Sequence, residues 1–164
     1  MKTTLFAALA ATIALPAFAH DGLAIVDAYA RSGGPAPTGA AYMVIENHTD
    51  TDDRLIGATT DVAGSAELHT TIMEDGIARM RPLEDGAVIP AEGEHALERG
   101  GDHIMMFGVT GLEDGQTFPL TLIFETAGEM TVDVTVDNAR MPEDAGEEMD
   151  HENMDHQPEV ANEQ

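Results

Sequence analysis

The sequence predicts an all-β domain, an antiparallel sandwich or barrel, on three observations. The first is alternation. Met130, Val132, Val134 and Val136 are interleaved with Thr131, Asp133 and Thr135, and Leu120, Leu122 and Phe124 alternate in the same way, as strands with one buried face require. The second is spacing: short apolar runs at 23–30, 41–46, 54–60, 66–73, 77–82, 103–109, 118–125 and 130–136 follow one another with turn residues between them. No helical period separates them, which argues against alternating helix and strand. The third is turn chemistry. Glu-Asp-Gly recurs at 74–76, 84–86 and 113–115, each time at a strand boundary, and Asp-Gly between apolar runs marks a hairpin. These triplets lack the dense carboxylate spacing that a calcium loop needs.

In chain order, residues 1–19 read as an export signal. Lys2 supplies the positive start, Thr3 to Leu15 the apolar run and Ala17-Phe18-Ala19 the cleavage site, and the run is too short to span a bilayer. Cleavage after Ala19 would leave a periplasmic chain beginning at His20, with a β-domain over 20–140 and an appendage over 141–164. The stretch from Arg31 to Pro37 reads as a loop, stiff at proline and loose at glycine, and is a candidate to flank a site. His48 and His95 stand next to turn residues and are expected to be solvated. Asn47-His48-Thr49 is formally a glycosylation pattern, to which an exported bacterial-type chain gives no weight.

Composition removes whole classes of function. The chain has no cysteine, which excludes disulfides and a blue-copper electron-transfer centre, because the latter needs a thiolate ligand. It has 31 Asp and Glu against 7 Lys and Arg, a net charge of -24. Such a surface repels nucleic acid and anionic lipid and attracts cations and basic partners. No nucleophile or general-base constellation is evident, so an enzyme is not expected.

The donors that stand out are His69, Met80 after ten intervening residues, and His103-Ile104-Met105 after a further twenty-two. Thioether and imidazole together suit Cu(I) better than Zn(II), Mg(II) or Ca(II). Singly, each residue is more often core or solvated surface; the combination is what points to a metal. On a strand His103 and Met105 share one face, and Ile104 and Met106 the other. If Asp75-Gly76 is a two-residue loop, positions whose numbers sum to 151 oppose one another, and His69, Thr71, Met73, Ala78 and Met80 share a face. His69 and Met80 are then diagonal neighbours, within reach of long side chains. Leu68, Ile72, Ile104, Met106 and Phe107 are expected to form an apolar shell that favours the singly charged ion. Met106 reads as core filler, and Met73 as filler or a spare thioether.

This spacing resembles the signature of the periplasmic copper chaperones of the PCu(A)C type. The blocks His69-Thr70-Thr71-Ile72-Met73-Glu74-Asp75-Gly76, Met80-Arg81-Pro82 and Gly100-Gly101-Asp102-His103-Ile104-Met105 are similar to that family's motifs, and the resemblance covers roughly residues 20–140. The gap before His103 is one residue longer than the family's usual one, which puts an extra residue in the preceding loop. The resemblance implies a cupredoxin-like antiparallel β-sandwich. It also implies delivery of Cu(I) to a copper site of a respiratory haem–copper oxidase, through an oxidase subunit or another copper chaperone. A copper buffer or detoxification protein without a dedicated acceptor is the alternative. A monomer is expected, with no membrane insertion once the signal is removed.

The segment 141–164 carries nine acidic residues and no Lys or Arg, a composition expected to be disordered. It nevertheless holds two Met-x-His units, Met149 with His151 and Met154 with His156. Imidazole and carboxylate suit Cu(II), so the tail is a candidate Cu(II) site. The amine and imidazole of His20 would form a second nitrogen-donor candidate.

Overall fold

The computed structural model describes residues 22–34 and 36–141, all strand, turn and irregular structure. Its strands are β1 (Leu23–Ser32), β2 (Thr38–Asn47), β3 (Asp53–Thr59), β4 (Ser65–Glu74), β5 (Ile77–Pro82), β6 (Ala87–Ile89), β7 (Gly93–Leu97), β8 (His103–Phe107), β9 (Thr117–Phe124) and β10 (Gly128–Val136). The hydrogen-bonded order is β5-β4-β8-β2-β1-β10-β9-β3-β6, and a bridge between Ala58 and Ala66 joins β3 back to β4. The sheet thus folds over on itself, the solution for strands that each have one apolar face. Every ladder is antiparallel except β1–β10, which is parallel.

Burial follows the alternation in the sequence. Phe118, Leu120, Leu122 and Phe124 of β9 turn inward with Met130, Val134 and Val136 of β10, into one core cluster with Ile45, Leu55 and Ile104. All eight expected strands form. β6 and β7 were not anticipated, for a physical reason: Ala87-Val88-Ile89 is too short for a period to show, and Gly93-Glu94-His95-Ala96-Leu97 has no β-branched residue and buries only Leu97. Tertiary pairing with β3 and β2 holds them in place.

The expectation for His95 is corrected here. It lies within β7 opposite Ile45, with its Nε2 3.1 Å from the Asp102 carboxylate, and is not a solvated turn residue. His48 is exposed, as expected, beside Glu46. Asn47 is almost fully buried, donating to the carbonyls of Thr51 and Ile89 and accepting from Thr49. Its side chain secures the turn after β2.

The β4–β5 hairpin has the register that the two-residue loop predicts. His69 faces Pro82, Thr71 faces Met80 and Met73 faces Ala78. Asp75 (φ 53°) and Gly76 (φ 77°) both occupy the left-handed region, as a type I′ turn requires. No atom lies within 4 Å of the place a Cβ on Gly76 would take, so Gly76→Ala carries only the backbone penalty of about 1 kcal/mol. Amide exchange across β4–β5 is expected to quicken about fivefold in that variant, with β9–β10 unaffected. Equal exchange in the two hairpins would show that the turn does not hold this register.

Candidate metal centre

The site is built on β8, which lies between β4 and β2. His103 is opposite His69 of β4, and Met105 is flanked by Glu67 of β4 and Ala40 of β2. The pleat sends Leu68, Ile104 and Met106 the other way, into the core. Ile104 and Met106 face away from His103 and Met105, as expected, so the apolar shell, with Leu68 and Ile72, lies behind the site rather than around the donors. Met106 is core filler, as expected, whereas Met73 is exposed at the hairpin end.

What covers the donor face is a row of rings. Tyr29 and Tyr42 are 5.1 Å apart, Tyr42 and His103 6.2 Å, His103 and His69 6.2 Å, and His69 and Phe107 5.8 Å between centroids. Arg140 closes the far end, its guanidinium 4.1 Å above the Tyr29 ring and paired with Asp27. Asp27 itself has φ 56° at an irregularity in the β1–β2 register, a bulge that sets Tyr29 opposite Tyr42. Burial raises the pKa of both phenols, with Arg140 the main opposing influence on Tyr29 and Arg99 and Arg31 opposing weakly on Tyr42, whose rise Tyr29 adds to. Both therefore stay neutral at physiological pH.

The tautomer of a neutral His103 follows from its surroundings. Its Nδ1 is 3.0 Å from the Gly101 carbonyl, which only accepts, so Nδ1 carries the proton and Nε2 keeps a lone pair. His103 is 3% exposed, and this Nε2 is buried with no hydrogen-bond partner in the structure. Leaving a buried acceptor unsatisfied costs about 1–3 kcal/mol, and a backbone carbonyl on the other ring nitrogen is the usual support of a metal-binding imidazole. The Gly101 carbonyl also accepts from the Thr71 N–H at 3.1 Å. The longer loop before His103 is thereby tied to β4.

Met80, Met105 and His103 line one open groove of about 550 Å³, with Thr71, Ala78 and Tyr42 among its other walls. The stems of the Arg31–Pro37 loop, Arg31 to Gly33 and Thr38, line it too. His69 does not; it sits against His103 from the adjoining strand, 9% exposed, with Nε2 3.4 Å from the Glu67 carboxylate. Met80 is 62% exposed and Met105 half-buried. Among the described residues no three His, Asp or Glu converge as a metal site; the donors that line the groove are one imidazole and two thioethers. Neutral soft donors of this kind suit Cu(I). His20, Met149, His151, Met154 and His156 lie outside the described residues.

Tyr29 and Tyr42, the only tyrosines of the chain, were not singled out from sequence. Their rarity was the available signal, but only the β1–β2 ladder places them together.

Comparison with known proteins places these features in a group. The LpqE-like family model matches residues 23–136. Lxx21020 of Leifsonia xyli subsp. xyli, which carries a lipoprotein name, is 33% identical over 78% of this chain and 77% of its own. Among solved structures, the apo form of DR1885 from Deinococcus radiodurans is 30% identical, covering 85% of this chain and 100% of that one, with a TM-score of 0.56. Its Cu(I) form is 32% identical over 73% and 82% of the two chains, with a TM-score of 0.57. The copper-bound PCuAC domain from PmoF2, 24% identical over 73% and 96%, shares the fold with a TM-score of 0.60.

Proposed function

The chain belongs to the LpqE-like family, of the PCu(A)C type, and on that premise we propose that it is an exported copper chaperone that carries one Cu(I) on His69, Met80, His103 and Met105. The observation that carries this reading is the buried, unpartnered Nε2 of His103 beside a groove that also holds Met80 and Met105. The Cu(I) form of DR1885 supports the choice of ion, and the lipoprotein name of the Leifsonia relative supports export.

The cargo leaves by ligand exchange. Met80 is the most exposed of the four donors and sits on an edge strand whose every residue is exposed. It is therefore the ligand an acceptor reaches first: an acceptor thiolate or imidazole adds to the copper, the Met80 sulfur leaves, and the buried imidazoles release last. No substrate bond is made or broken. The acceptor is a copper site on another protein, and the motif resemblance points to a respiratory haem–copper oxidase, directly or through a second chaperone.

Anaerobic titration against a Cu(I) chelator tests the donors. Leucine matches methionine in volume without the sulfur, so Met80→Leu and Met105→Leu should fold normally and bind Cu(I) about 10–100-fold more weakly, the scale on which metal sites respond to losing a supporting contact. Met80→Leu should also speed transfer to an acceptor, because the ligand that departs first is already gone. Zn(II) should compete poorly. If both variants hold Cu(I) as the parent does, the thioether assignment is wrong.

A further inference from the structure

The groove beside His103 has walls of unexpected sign. The chain has 31 Asp and Glu, yet none of them lines this groove, and Arg31 and Arg99 do. Arg99 is exposed, and Arg31 donates to the carbonyl of Arg140 at 2.6 Å; among the described residues neither is paired with a carboxylate. Arg79 and Arg81, by contrast, both pair with Glu74, at 3.0 and 2.6 Å. Fixed positive charge beside a cation site opposes the cargo, so the two groove arginines serve something other than the copper. The same face is also an exposed apolar one. Met73 and Met80 are both exposed, and the β4–β5 register sets them on one side with Thr71 and Ala78, which line the groove. Flexible thioethers make an adaptable contact surface, and methionine and arginine are among the residues that protein interfaces favour.

We propose that this face is where the copper acceptor docks, an inference that rests on the carrier reading, and that carboxylates ring the acceptor's receiving group. Arg31 and Arg99 engage those carboxylates and bring the receiving thiolate or imidazole onto Met80, the ligand that departs first. The rest of the chain enforces this orientation. Its net charge of -24 repels an acidic partner that approaches from other sides. A second copy of this chain fits poorly, since a two-fold contact on this face brings the arginines of one copy towards those of the other.

The test uses the full mature chain and a synthetic peptide whose Cys-x-x-Cys pair is flanked by aspartates, beside the same peptide flanked by lysines. The chain has no cysteine, so the ultraviolet absorbance of a Cu(I)–thiolate bond reports arrival on the peptide alone; each thiol gives its proton to the buffer as it replaces a donor. An Arg31→Gln, Arg99→Gln double variant should pass Cu(I) to the aspartate peptide about tenfold more slowly, the low end of electrostatic steering, while holding Cu(I) at least as tightly as the parent. The gap should close in molar salt, where the screening length falls to ~3 Å. Arg99→Glu leaves the Arg31 bond to Arg140 in place, and should slow transfer to the aspartate peptide while quickening it to the lysine peptide. Variants that leave the aspartate-peptide rate unchanged, or that slow both peptides equally, overturn the proposal. A copper-free arm keeps the result apart from the carrier reading. There the aspartate peptide should shift the amide signals of Arg99 to Gly101 and Thr38 to Ala40 in the parent and not in the double variant. Shifts confined to other strands overturn the docking, as do shifts that grow with chain concentration without peptide, which give the face to a second copy. If the parent takes up no Cu(I) while the peptide shifts persist, the carrier reading falls and the acidic-partner face stands.

Discussion

His103→Asn is expected to lose Cu(I) affinity by about 100-fold or more, the upper end of the range that supporting residues already command, while the chain still folds. The choice of asparagine separates the two ring nitrogens. Its side-chain amide can donate to the Gly101 carbonyl as Nδ1 does at 3.0 Å, but it presents nothing where Nε2 stands. The buried lone pair of Nε2 has no partner in the structure, and removing it relieves a penalty of about 1–3 kcal/mol, offset by the buried Oδ1 that asparagine brings and the ring contacts with Tyr42 and His69 that it gives up. Stability of the copper-free variant, read from urea unfolding, should therefore lie within about 2 kcal/mol of the parent. Loss of binding far beyond any loss of stability is the signature of a residue kept for its chemistry. A His103→Asn chain that competes for Cu(I) as well as the parent would remove the central donor from the proposal.

The parts of this site that were legible in the sequence are those set by short-range rules. A two-residue Asp75-Gly76 turn and a side-chain period of two are enough to put His69 and Met80 on one face, and the ladder has that register. His103 and Met105 share a face for the same reason. The same rule sends Ile104 and Met106 to the face behind His103 and Met105, as they are found, and it puts Leu68 behind His69. The ring row could not be read locally. Tyr29 meets Tyr42 only because the β1–β2 register shifts between Val26 and Tyr29, and nothing in the run from Val26 to Tyr29 announces a bulge at an aspartate. The parallel β1–β10 pair and the short strands β6 and β7 likewise depend on partners far along the chain. Arg99 is a similar case: its place on the groove follows from the path of the loop between β7 and β8.

The largest loss of stability is expected from a residue that has no part in the site. Asp53 opens β3, is 8% exposed, and accepts three backbone N–H groups: Arg54 at 2.7 Å, Thr126 at 2.9 Å and Ala127 at 2.9 Å. The last two belong to the turn between β9 and β10, so one carboxylate ties the start of β3 to a hairpin more than seventy residues away. Hydrogen bonds to a charged group contribute about 1.5–3 kcal/mol each, and stranded donors carry their own desolvation cost. Some of those donors regain water once the carboxylate is gone, so Asp53→Ala should cost about 3 kcal/mol in total rather than the full sum. At about 2–8 °C per kcal/mol for domains of this size class, Tm should fall by about 10–20 °C. Asp53→Asn is expected to recover only part of this, because its NH2 replaces one accepting oxygen and meets an N–H head on. None of Asp53, Arg54, Thr126 or Ala127 lines the groove, so Cu(I) affinity measured well below the new Tm should match the parent. A Tm within two or three degrees of the parent in Asp53→Ala would show that solvent already satisfies this turn, and that the carboxylate does not hold β3 to the β9–β10 hairpin.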